Sequence, residues 1–397
     1  MRVAIVHDYL TQRGGAERVV LAFHELFPDA PIFTSIYDSE GTFPAYRGQD
    51  IRTTFLQHLP HGGDSFRALL MLYPIAFSRL HLDGYDLVLS SSSGWAHGVH
   101  AEGAVHVCYC YTPARWLYLQ RSYFGVNGPV PTWLRYPLQP ALEGLTLWDQ
   151  RAARRVDHYL TISRASAERV RRFYGRPATV VHGPIEIDRI AFDLDAEPDR
   201  PPYYMTLARL LPYKRIDRAI EACERRGTRL IVVGRGPGRA GLRRIAGPLV
   251  EFREGVSDQE LNRLLAGCTG LIQAGDEDFG LAPLEANAAG RPVVAYGVSG
   301  ALETVVDGVT GVLFHEPTPE SLCRAMDELE SRTWDRRLLR AHAMSFNKER
   351  FKRRISEAID DALAGRLPGL RRAARFSRPD PPSSARYLSG RRRTTSA

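Results

Sequence analysis

Asp193-Leu194-Asp195-Ala196-Glu197-Pro198-Asp199-Arg200-Pro201-Pro202 is acidic, rich in proline and free of hydrophobic periodicity, and it falls at the middle of a 397-residue chain. With the residues from Glu186 it reads as a linker, 186–202, because such a stretch can bury little and supports neither helix nor strand. The length agrees, since a single core rarely organises so many residues. Before the linker, Val3-Ala4-Ile5-Val6 reads as a strand, and 16–27 as a helix with Val19, Val20, Phe23 and Leu26 on its inner face. Further strands fit 31–35, 86–90, 105–111, 158–162 and 179–182, with a helix over 140–155. After the linker the alternation restarts, with strands at 203–207, 230–233, 250–252, 271–273 and 292–295 and helices at 214–225, 239–245, 258–265 and 281–289. The fold class expected is α/β: two Rossmann-like, doubly wound domains, 1–185 and 203–364, facing each other across a cleft. Helices near 319–329, 336–343 and 348–364 are read as closing the second domain.

Composition narrows the class of protein. With 44% apolar and 25% charged residues the chain is that of a soluble globular protein. Lys plus Arg number 53 and Asp plus Glu 45, but nine arginines and one acid, Asp380, fall in 365–397, which leaves 44 of each sign in the body. Any attraction to polyanions therefore belongs to that tail, which is too poor in apolar residues to order itself. No run approaches the 18 or so apolar residues of a membrane span, and 3–6 meets His7 and Asp8 too soon for a signal peptide, so a cytoplasmic protein is expected. Five cysteines, with only Cys108 and Cys110 close together, suit buried thiols better than disulfides or a zinc site.

Four segments carry chemistry. Gly14-Gly15 opens the first helix, where free amide groups can meet an anion. Arg209 and Lys214 follow the first strand of the second domain, and a lysine read as starting a helix suggests a compensating anion. Glu277-Asp278-Phe279-Gly280-Leu281-Ala282-Pro283-Leu284-Glu285 places carboxylates eight positions apart around a helix start. At up to roughly 12 Å they are too distant for an acid/base pair on one glycosidic bond, which needs about 5–9.5 Å, but they suit a long ligand gripped at both ends. The amides of Phe279, Gly280 and Leu281 would face its anionic middle. Finally, His106, Tyr111 and Arg115 belong to a polar and aromatic strand end where sugar hydroxyls and rings find partners. Core packing accounts for those aromatics nearly as well. Gly236-Pro237-Gly238-Arg239-Ala240-Gly241 matches the dinucleotide pattern but follows the wrong strand, so it reads as a turn lining the cleft.

Assembled in this order, the motifs resemble the family 4 retaining glycosyltransferases of two-domain GT-B architecture, over the chain up to about Ala364. Among these the sequence is most similar to bacterial mannosyltransferases of surface-polysaccharide assembly. The resemblance implies that Arg209 and Lys214 hold the donor diphosphate, Glu277 the transferred sugar, Glu285 the ribose and Gly15 a phosphate oxygen, with Gly234 bordering the base. It also implies same-face substitution, in which the departing phosphate helps deprotonate the acceptor, and no metal or other cofactor. Tyr111 stands where members close to this sequence carry His, and Ser299-Gly300 replaces a Gly-Gly pair.

The expected function is transfer of a hexose, mannose from GDP-mannose, to a lipid-linked or oligosaccharide acceptor. The tail would then meet an anionic membrane surface from the cytoplasmic side, each arginine contributing about 1 kcal/mol near it. No nucleic acid is expected as a partner. Two alternatives stay open: a GT-B nucleotide-sugar epimerase or phosphorylase, and a polyanion-binding protein acting through the tail.

Overall fold

The computed structural model describes residues 1–59, 69, 71–124, 132–195 and 197–365. The disorder expected of the arginine-rich tail concerns residues beyond these. The first domain is a parallel sheet of seven strands: β1 (Val3–His7), β2 (Ile32–Thr34), β3 (Ile51–Thr53), β4 (Leu87–Ser92), β5 (Val105–Cys110), β6 (His158–Thr161) and β7 (Ala178–Val180), in the order β3-β2-β1-β4-β5-β6-β7. Every residue of β1 is buried, as both faces of the sheet are covered by helices. These are α1 (Gly15–Leu26), α2 (Tyr73–Ser78), α3 (Arg115–Tyr118), α4 (Gln120–Phe124), α5 (Thr132–Ala153) and α6 (Arg164–Tyr174).

The second domain repeats the design with six strands: β8 (Tyr203–Leu207), β9 (Arg229–Val233), β10 (Val250–Arg253), β11 (Gly270–Gln273), β12 (Val293–Tyr296) and β13 (Gly311–Phe314), in the order β10-β9-β8-β11-β12-β13. Its helices are α7 (Ile216–Arg226), α8 (Arg239–Ile245), α9 (Asp258–Gly267), α10 (Leu281–Ala288), α11 (Ala301–Thr304), α12 (Pro319–Glu330) and α13 (Arg336–Met344). The strand order reverses beside β1 and β8, so the loops after these strands lie where doubly wound sheets bind ligands.

Three expectations change. The last helix, α14 (Lys348–Leu363), does not close the second domain but returns to the first, where Phe351 stacks on Phe23 of α1 at 6.0 Å and meets Tyr109 edge-on at 5.7 Å. Phe351, Ile355, Ala358, Ile359 and Ala362 form its buried stripe, with the large members stabilising the docking by about 1.5–3 kcal/mol each. Lys348 and Lys352 add contacts to Glu25 of α1 at 2.7 and 3.1 Å. Second, Lys214 does not start a helix: it ends a single 3-10 turn, Pro212–Lys214, and α7 begins only after Arg215, which sits at φ 51°. Third, strands β3 and β13 were not foreseen. All five cysteines are free, but Cys323 is only half-buried.

Candidate active site

Facing loops build the cleft. Gly14 caps α1 and Gly15 is its first residue; a Cβ on Gly15 would come within 2.6 Å of Leu281 Cδ1, the first residue of α10 in the other domain. The two helix starts thus meet with no room for a side chain on the α1 side. Glu17 braces this corner, accepting a 3.1 Å bond from Gln12 Nε2, while Tyr46 donates to its carbonyl at 2.5 Å. Across the cleft Gly280, at φ 96°, caps α10, and among the described residues the amides of Phe279, Gly280 and Leu281 donate to no protein acceptor. Such free amides at a helix start are suited to an anion.

Arg209 follows β8. Among the described residues its guanidinium makes no hydrogen bond or ion pair, although Tyr9, Tyr123 and Glu17 of the first domain and Tyr213 of its own surround it. Burial works against its charge, but these neighbours raise its pKa further. The glycine-rich segment explains how the loop is held. Leu210 N donates to Arg235 O at 3.0 Å and Gly238 N to Leu210 O at 2.9 Å. Gly234, at φ 144°, lies so close to the Ala208 carbonyl that a Cβ would overlap it. The dinucleotide-like pattern is therefore a brace beneath Arg209.

Lys214 is half-buried against Glu277, to which its ammonium donates, and lies 5.1 Å from the Tyr213 ring. Desolvation lowers its pKa, but Glu277 and Tyr213 raise it more, and the net direction is upward. The anion suggested by the sequence is thus supplied here by the protein's own carboxylate. Glu285 lies on α10, where its Oε1 accepts from Arg189 Nη2 at 2.7 Å and Arg18 Nη1 at 3.3 Å; neither bond uses Oε2. Since Arg18 lies on α1, this acid also joins the domains. The Phe279 ring turns from the cleft and stacks on His182 at 5.4 Å, so only its backbone faces a ligand.

The proposed sugar contacts part company. His106 is wholly buried near the amino end of β5, at the opposite edge from the cleft, where its Nε2 meets Ser90 Oγ at 2.8 Å. Burial first, then His97 and Arg155, lower its pKa to about 3, so His106 is a neutral core residue and not a sugar contact. Tyr111 donates to the Ala16 carbonyl at 3.1 Å and meets Ser91 Oγ at 2.9 Å, supporting the Gly14–Gly15 corner from below. Arg115 reaches across the cleft: its Nε and Nη2 each hold Asp278 at 2.8 Å, and its guanidinium lies 4.6 Å from the Tyr213 ring. Arg169 of α6 binds the same carboxylate. Burial disfavours the charged Asp278, yet Arg115, Arg169 and Lys214 hold its pKa below the usual value.

Sequence reading missed Arg169, Arg18 and Asp8. Asp8 accepts four bonds, from Ser93 N and Oγ and from the amides of Trp95 and Ala96, at 2.6–2.9 Å, fixing the loop after β4. Its place at the end of β1 was the available signal. Arg169 offered none, because its partner is 109 positions away.

Residues 13–189 match the family described as Glycosyltransferase Family 4, and residues 189–361 that described as Glycosyl transferases group 1. The chain belongs to glycosyltransferase family 4. Members of known activity resemble it over part of their length. A GDP-mannose-dependent alpha-(1-6)-phosphatidylinositol monomannoside mannosyltransferase of Mycolicibacterium smegmatis is 32% identical over 197 residues, covering 42% of this chain and 51% of the relative. A glycogen synthase of Pseudomonas syringae pv. syringae is 32% identical over 148 residues, 35% of this chain and 30% of that one. The chain thus spans about half, or less, of the curated relatives it matches. Among solved structures, Anabaena HepE in complex with UDP and glucose superposes with a TM-score of 0.64 at 18% identity, over 91% of this chain and 99% of that one. Sucrose-phosphate synthase from Thermosynechococcus elongatus gives 0.70 at 16% identity over 92% and 100%. These likenesses show that this family 4 chain has the GT-B fold. No helix among its described residues is long and apolar enough to cross a membrane.

Proposed function

We propose that this enzyme is a retaining hexosyltransferase that moves mannose from GDP-mannose to a lipid-linked or oligosaccharide acceptor in surface glycan synthesis. The observation that carries the reading is Arg209: a cation at the topological switch point that makes no hydrogen bond or ion pair among the described residues, near a helix start with free amides. A diphosphate satisfies both. As the sugar–phosphate bond breaks, negative charge grows on the leaving phosphate, and fixed cations there favour the transition state over the ground state. Arg209 and Lys214 take this role without a metal. Lys214 turning to the phosphate frees Glu277 for a sugar hydroxyl, while Glu285 Oε2 accepts from the ribose. With His106 in the core and Tyr111 supporting the α1 corner, proton removal from the acceptor falls to the departing phosphate. This also weakens the epimerase alternative, which needs acid and base groups around the sugar. The mannosyltransferase relative supports the donor, and the UDP-bound neighbour makes UDP-glucose its rival.

The test is thermal stabilisation across GDP-mannose, UDP-glucose and other nucleotide sugars, followed by turnover and NMR of the product anomer. A ligand at 100 times its Kd adds about 2.7 kcal/mol. GDP-mannose should give the largest shift and an α-mannoside product. A larger shift with UDP-glucose displaces the donor assignment, and an inverted anomer displaces the mechanism.

A further inference from the structure

Beside the crossing from the second domain into α14 lies a cavity of about 500 Å³ that the donor reading does not use. Its walls include Arg164, His182, Phe346, Arg350, Phe351 and Arg354. Arg350, Phe351 and Arg354 share a face of α14, while Arg164 is the first residue of α6, so the positive ends of two helices border one space. Among the described residues the side chains of Arg164 and Arg350 make no ion pair or hydrogen bond, and Arg354 meets only Glu357, at 3.3 Å. Glu303, the carboxylate at this wall, is already used: Oε1 accepts from the Arg164 amide at 2.8 Å and Oε2 meets His182 Nε2 at 2.9 Å. The charged side of the cavity therefore has a surplus of donors. The Phe346 and Phe351 side offers carbon.

We propose that this cavity binds an organic phosphate monoester, with its phosphate held by Arg164 and Arg350 and its carbon skeleton against Phe346 and Phe351. Guanidinium groups match phosphate oxygens in geometry as well as charge, and the volume exceeds what a bare inorganic ion fills. A lipid head group and a soluble ester share this chemistry. The site is independent of the donor assignment.

Calorimetric titration of the full chain with glycerol 3-phosphate, dihexanoyl phosphatidic acid and inorganic phosphate tests it, in the R164Q/R350Q and R209A/K214A double variants beside the parent. At least one ester should bind the parent, lose tenfold or more in affinity in R164Q/R350Q and keep its affinity in R209A/K214A. Tighter binding of the phosphatidic acid identifies a lipid source, and equal binding of both esters a soluble one. Should the double variant melt early, R350Q alone carries the same comparison. Affinity lost in R209A/K214A but kept in R164Q/R350Q, no binding by the parent, or inorganic phosphate binding as well as both esters overturns the proposal.

Discussion

Arg115 of the first domain grips Asp278 of the second through two parallel contacts, Nε to Oδ2 and Nη2 to Oδ1, each 2.8 Å long. Arg169 joins on Oδ1, and the Arg115 guanidinium also rests over Tyr213, beside Lys214. One carboxylate thus ties α3 and α6 to the loop that carries Glu277. The charge of that loop is matched across the cleft, and the two domains are held shut by groups other than the substrate.

Replacing Asp278 by Asn deprives Arg115 of its carboxylate and leaves Arg169 only the more distant carboxylate of Asp276, at 3.6 Å, and removing one partner of a buried pair typically costs about 3–5 kcal/mol. D278N should melt earlier and show a wider distance between the domains by small-angle scattering. Because the native pKa of Asp278 is depressed, its contribution is complete above the unfolded carboxylate value of about 3.9 and is lost as pH falls through the lower native one. The parent should therefore stay closed from neutral pH to about 4, whereas D278N is open throughout. A closed D278N at pH 7 contradicts the clamp.

Arg209→Ala removes a cation that makes no hydrogen bond or ion pair among the described residues, so stability should change little while turnover drops by about 100- to 1000-fold, the effect of losing one fixed transition-state donor. Steady-state kinetics and a melting curve separate these two effects. Full activity in R209A would end the donor-site assignment.

Gly15→Val forces the α1 start away from Leu281, an overpacking that costs roughly 1–3 kcal/mol in the closed form. Donor KM should rise by tenfold or more, and a second change, Leu281→Ala, should recover most of it. Failure of that rescue would mean that the corner does not close on Leu281.

Gly234→Ala places a methyl group on the Ala208 carbonyl in a backbone region hostile to side chains. A loss of about 3 kcal/mol or more is expected, lowering Tm by at least roughly 6 °C, together with displaced Arg209 and lost activity. A G234A variant with parental Tm and kcat would refute the brace.

His106 stays neutral in the native state down to a pH of about 3, whereas in the unfolded chain it takes up a proton near 6.5. The unfolded state therefore binds more protons between those limits, and stability falls as pH drops from 6.5 toward 3. His106→Gln abolishes this contribution. The stability difference between parent and variant, from urea unfolding, should shrink across that interval.

The second-domain strands β8 to β12 were legible to within about two residues, because short β-branched runs and 3.6-residue periodicity alternate there, whereas β13, Gly311–Phe314, is a four-residue run too short to show a period. β3 escaped notice because Ile51-Arg52-Thr53 is a three-residue edge strand with an exposed arginine, too short to show a period. Glu277, Arg209 and Lys214 were candidates because each stands in a loop after a strand, and Glu285 because it lies eight positions beyond Glu277 in the helix that follows. Their partnerships could not: Lys214 with Glu277, Arg18 with Glu285 and Arg169 with Asp278 link residues 63 to 267 positions apart, and local patterns carry no such information. His106 was misplaced because strand alternation shows which faces are occupied but not which end of a strand faces the ligand.

The chain passes between the domains twice, once through the stretch after Ile185 and once through 345–347, and the two passages touch where Ile185 N donates to Phe346 O at 2.9 Å. Two neighbouring pivots define a single axis, as on a door. A rotation of the halves about that line would bring Gly15 and Leu281 back to the same register each time the cleft closed.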